Sequence, residues 1–106
     1  MPFYLSQVSY TPEGARGILK EGGTARKDAA RQVIESGGGK MLTFYFAFGE
    51  DDAYVISEMP SESEMAAVSL AIAASGAVRL KTVALLTPEQ VDQARDISVN
   101  YRPPGS

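Results

Sequence analysis

Residues 40–58, KMLTFYFAFGEDDAYVISE, read as two strands joined by a tight turn. Strand side chains alternate between faces, so Leu42, Phe44, Phe46 and Phe48 are expected on one side of the first strand, with Met41, Thr43, Tyr45 and Ala47 on the other. Both sides are largely apolar. A sheet with helices on one face needs only that face apolar, so a second apolar face calls for a cover, either a partner subunit or a ligand. The acidic and glycine-rich run Gly49-Glu50-Asp51-Asp52 favours turn conformations and is expected to stay wet.

Upstream, Gly37-Gly38-Gly39 closes a helical piece that starts at Thr24. Ala29, Ala30, Val33 and Ile34 form its inner stripe, and Arg26, Lys27, Arg31 and Glu35 are read as mostly outside. Gly22-Gly23 breaks this piece from an earlier one, since two adjacent glycines cost about 2 kcal/mol of helix propensity relative to alanine. Thr11-Pro12-Glu13 opens that earlier helix: threonine caps a free amide, proline suits the first helical position, and glutamate complements the positive helix end. Phe3–Tyr10 alternates as a first strand.

Downstream, Pro60 ends the second hairpin strand, and Ser61 and Glu64 have capping-box spacing before a helix carrying Met65, Val68 and Ile72. Gly76 stops it. Residues 77–86 form the last long strand, again two-sided, with Val78, Leu80, Thr82 and Ala84 opposite Arg79, Lys81, Val83 and Leu85. Thr87-Pro88-Glu89-Gln90 repeats the helix-start signal and opens a short helix through Val91 and Ala94 towards Ile97. The expected division is one domain over 1–97 and a tail over 98–106, extended or mobile because Pro103-Pro104 suits neither a regular helix nor a central strand.

The order strand, helix, strand, strand, helix, strand, then a short helix is the β-α-β-β-α-β arrangement of an α+β, ferredoxin-like fold, an antiparallel sheet with its two main helices on one face. By analogy with that fold, two such sheets packed through their open faces make a dimeric α+β barrel, which accounts for the apolar residues on both faces.

At 106 residues the chain suits one core, and 44% hydrophobic with 22% charged residues is ordinary for a folded domain. A net charge of -3 gives no attraction to nucleic acid or anionic membranes, so neither partner is expected. Zero cysteines and zero histidines exclude disulfides, thiolate or histidine metal ligands and a Ser-His-Asp triad. No cofactor is expected. No signal-peptide pattern opens the chain and no apolar run approaches the ~20 residues of a membrane span, so a cytoplasmic protein is expected.

At the hairpin the chain resembles the GYD domain family, small bacterial proteins of largely uncharacterised function with this element order. The resemblance rests on residues 4–11 (YLSQVSYT), Gly38-Gly39-Lys40, residues 44–52 (FYFAFGEDD) and residues 76–82 (GAVRLKT). The family signature is Gly, one residue, Tyr, Asp; here it reads Gly49-Glu50-Asp51-Asp52, with Asp51 in the place of the tyrosine. The resemblance implies the ferredoxin-like fold and homodimers or higher homo-oligomers, with no established reaction.

Five residues are candidates for holding a small apolar or anionic ligand. Arg79 and Lys81 lie two apart on one strand face, so both can point under the open sheet towards a carboxylate or enolate; the plainer reading is an intersubunit ion pair with Glu58 or Asp52, or a solvated strand edge. Tyr4, Tyr10 and Tyr45 can donate to a ligand or shuttle a proton, against the plainer reading of core or interface packing. Phe44, Tyr45 and Phe46 are the expected interface residues. Glu50, Asp51 and Asp52 lack calcium-loop spacing, so no metal site is expected. Gly37-Gly38-Gly39-Lys40 follows a helix and precedes a strand, the reverse of a phosphate loop. Two functional readings follow: a homo-oligomeric domain of no known chemistry that closes its open sheet on another copy, or a cofactor-independent small-molecule enzyme, monooxygenase- or isomerase-like, of the dimeric α+β barrel type.

Overall fold

A computed structural model describes all residues, 1–106. Its elements are β1 (Phe3–Tyr10), α1 (Pro12–Glu21), α2 (Gly23–Ser36), β2 (Lys40–Phe46), β3 (Ala53–Glu58), α3 (Glu62–Ala74), β4 (Val78–Leu85) and α4 (Pro88–Arg95). The strands form one antiparallel sheet in the order β2-β3-β1-β4, consistent with a ferredoxin-like α+β fold. No helix is long and apolar enough to cross a membrane.

The core lies between the sheet and helices α2 and α3. Strand alternation sends Tyr4 and Val8 of β1, and Ala53 and Val55 of β3, towards the helices, where they meet Ile34, Met65, Val68 and the fully buried Met59. The buried hydroxyl of Ser57 in the same layer is turned to the Met65 sulfur at 3.9 Å.

The expected alternation of β2 does not hold along its whole length. Met41 pairs with Ser57 and Thr43 with Ile56, so Leu42 is an extra, unpaired residue at a β-bulge. The bulge resets the faces. Met41 and Phe44 pack on the core, Phe46 pairs with the buried Ala53, and Thr43 and Tyr45 take the other side. Phe48 lies past the strand end, fully exposed. Of the three expected interface aromatics, only Tyr45 therefore stands on the open face.

The helix breaks fall where glycine permits them. Thr11 caps α1 by accepting from the Gly14 amide at 3.3 Å, and its hydroxyl donates to the Gly76 carbonyl at 3.1 Å, tying the α1 start to the β4 start. Gly22, at φ +88°, separates α1 from α2 in a conformation that costs other residues strain. At α3 the expected capping box is replaced by a direct bond from the Ser61 hydroxyl to the Glu64 carboxylate, with no side-chain bond to a backbone amide. That bond holds the partly exposed Glu64 carboxyl below its usual pKa range. The full box appears at α4, where Thr87 Oγ1 accepts from the Gln90 amide (3.2 Å) and Gln90 Oε1 from the Thr87 amide (2.7 Å).

The open face of the sheet is graded along its length. At one end Phe3 lies between Glu58 and Leu85, and Leu5 between Ile56 and Val83. At the other, Gln7 lies between Tyr54 and Lys81, and Ser9 pairs with Arg79. No helix covers this face.

Candidate functional site

A cavity of about 70 Å³ sits on the opposite side, between the sheet and helices α2 and α3. Of its 14 lining residues 12 are hydrophobic, so its interior suits an apolar group. The sheet supplies Val8, Phe44, Val55 and Leu80, and the helices Val33, Val68 and Ile72. This volume is about half the ~150 Å³ of an engineered apolar cavity that takes benzene, so it holds a short branched chain and not an unreorganised aromatic ring.

Polar groups meet at one end, where β1 runs out and α2 begins. Arg26, in the first turn of α2, is half-buried and lines the cavity with Tyr10 and Ser6. Its guanidinium lies 3.8 Å from Glu21, a partly exposed and therefore weak pair that leaves other donors free. Burial pushes the Tyr10 phenol above its ordinary pKa; Arg26 opposes that rise, and the Asp52 carboxylate adds to it. Tyr10 is thus a proton donor at neutral pH, not a base.

Phe46 is not among the lining residues but backs two of them as an outer rim, its ring 5.1 Å from Phe44 in an edge-on contact and 6.5 Å from Tyr10. Gly23 explains how it fits: a Cβ there would stand 2.9 Å from the Phe46 ring. The helix break anticipated at Gly22-Gly23 thus places the start of α2 directly against the rim.

A second polar cluster lies on the other side of the sheet. Asp51 is 3% exposed, contrary to the expectation of a wet turn. Its carboxylate accepts from Gln7 Nε2 (3.4 Å), Ser9 Oγ (3.3 Å) and the Tyr54 hydroxyl (3.5 Å). Lys81 Nζ lies 3.8 Å from Asp51 and 3.9 Å from Glu50. Within the chain its partners are these two carboxylates. Asp52 instead accepts the Tyr10 amide at 2.9 Å, while its own amide donates to the Val8 carbonyl. No group of three acidic side chains is arranged to hold a metal ion.

The five sequence candidates are dispersed. Tyr10 lines the cavity; Tyr4 is buried in the core and borders a wider groove between α3 and β4. Tyr45, Arg79 and Lys81 stand on the open face, and Arg79 has no ion-pair partner. Arg26 was read as an outward residue. Its spacing holds the missed signal: it precedes Ala30 by four and Val33 by seven, one helical stripe.

The GYD domain model matches residues 4–94, and no curated protein matches the chain. With that match spanning every element from β1 into α4, the chain belongs to the GYD domain family.

Proposed function

We propose that this chain is a self-associating domain that binds a small molecule with a short branched apolar part and one acidic group. The observation that carries this reading is the apolar cavity of about 70 Å³ with Arg26 and Tyr10 together at one end. The cavity takes the apolar part and excludes water from it, while the guanidinium and the phenol donate to the acid. Self-association closes the other face, where Phe3, Leu5, Ile56, Val83 and Leu85 form an apolar end that a second copy would cover.

Isovalerate and its neutral counterpart isoamyl alcohol test the ligand reading by NMR titration. Isovalerate is expected to shift resonances of Tyr10, Val33 and Ile72, to bind at least several-fold tighter than the alcohol, and to lose that advantage in Arg26→Met. Shifts confined to surface lysines would overturn it. For assembly, sedimentation of the intact chain is expected to give a dimer or larger species that Leu5→Asp weakens; a stable monomer defeats that part.

A cofactor-independent enzyme is the second reading, favoured by the raised pKa of Tyr10. A phenol held protonated beside a guanidinium is suited to donating to a developing enolate oxygen, while the base that takes the α-proton would have to be the substrate's own acidic group or solvent, since no carboxylate lines the cavity.

A further inference from the structure

Of the sixteen residues Leu86 to Tyr101, Leu86 and Gln90 border the groove between α3 and β4, and every residue from Val91 on is exposed. All eight residues of α4 are exposed, and Val91, Ile97, Val99 and Tyr101 are 53–77% exposed. An 8-residue helix has no stability of its own in water, so an apolar stripe on it is expected to find a surface. The molecule is 57 Å long against 33 and 22 Å in the other directions, and its radius of gyration, 16.9 Å, exceeds the about 13 Å of a compact domain of this size.

Only Leu86 separates the end of β4 from the Thr87 cap, and the reciprocal Thr87–Gln90 bonds fix the first turn of α4. The arm leaves at the apolar end of the open face, beside Leu85 and its partner Phe3.

We propose that Leu86–Tyr101 is an exchanged arm: it lies on the apolar end of the open face of a second copy, over Phe3, Leu5, Ile56 and Val83, and receives that copy's arm in return. Two unpartnered apolar surfaces on one chain are both satisfied by one two-fold assembly. The helix and its cap carry Glu89, Asp92 and Asp96 against Arg95, and the open face carries Arg79, without a carboxylate partner, at its polar end and Glu58 at its apolar end. The inference rests on the self-association proposed above and assigns the arm to it.

The absence of cysteine makes a clean test. Two differently tagged full-length chains, Val99→Cys and Val83→Cys, are mixed and oxidised. A disulfide between the two tags is expected as the main product, and the Val99→Cys, Val83→Cys double variant is expected to cross-link between chains even at high dilution. Cross-linking within one chain would overturn the proposal. A chain ending at Leu86 is expected to dissociate at least about tenfold more readily. If it stays dimeric with unchanged affinity while Leu5→Asp still disrupts the dimer, the arm is refuted and open-face association stands; a monomeric intact chain refutes both.

Discussion

The backbone amide of Tyr10 donates to Asp52 Oδ2 at 2.9 Å, joining the last residue of β1 to the turn between β2 and β3. The Asp52 amide in turn donates to the Val8 carbonyl. The turn is therefore stapled to the strand that carries the phenol at the cavity. Asp52→Ala leaves the Tyr10 amide without this acceptor at a half-buried position, which is expected to cost about 1–3 kcal/mol. For a domain of this size that lowers Tm by roughly 4–8 °C per kcal/mol. Asp52→Asn keeps an acceptor and is expected to lose less, as calorimetry of the two variants will show.

Tyr10 gives the chain a signature at alkaline pH. Its folded pKa lies above the ordinary value of about 10 because burial favours the neutral phenol. Above that ordinary value the unfolded chain releases the proton while the folded chain keeps it, so the unfolded state binds fewer protons and stability falls as pH rises. The contribution is whole below about pH 10 and is lost as pH rises through the folded value. Tyr10→Phe is expected to flatten this part of the stability curve in urea titrations. A slope unchanged by the substitution would assign the alkaline loss to other tyrosines or to lysines.

Asp51 and Lys81 form an ion pair at 3.8 Å whose members are unequally important. The lysine side chain is 62% exposed, and such a pair contributes about 0–1 kcal/mol. Asp51 is buried and is the acceptor for Gln7, Ser9 and Tyr54 at once. Asp51→Ala is therefore expected to destabilise by about 1–3 kcal/mol and Lys81→Met by less than about 0.5, measured by denaturant unfolding. Comparable losses would mean that the pair, not the hydrogen bonds, holds the turn.

These residues show where sequence reading succeeds and where it stops. Thr11-Pro12, Gly22-Gly23, the three glycines before β2 and Thr87-Pro88 act locally, through caps and backbone freedom, so the helix ends and the order of elements were legible. The Leu42 bulge was not, because an extra residue in a strand whose neighbours are all apolar leaves no mark in the alternation. Arg26 was misassigned for a related reason: a cation on an apolar stripe looks like the edge of that stripe until a cavity is seen beneath it. Asp51 is buried by Gln7 and Ser9, more than forty positions away, a proximity that only the β1–β3 register creates.

Two glycines beside the sheet are expected to respond differently to the same substitution. A Cβ at Gly39 would lie 2.7 Å from the Glu58 carbonyl, a backbone atom in the β3 ladder, and would crowd the fully buried Met59 side chain. Neither neighbour yields without moving the strand, so Gly39→Ala is expected to cost about 1–3 kcal/mol, the range for overpacking. At Gly23 the close neighbour is the outer part of the Phe46 ring, a side chain 42% exposed and free to turn. There the clash is relieved cheaply, and alanine adds up to about 1 kcal/mol of helix propensity, so Gly23→Ala is expected to leave Tm nearly unchanged. Its effect falls on the rim: the displaced ring moves relative to Tyr10, and isovalerate affinity is expected to change several-fold by NMR titration. An equal loss of stability in both variants would show that Phe46 is as fixed as the strand backbone.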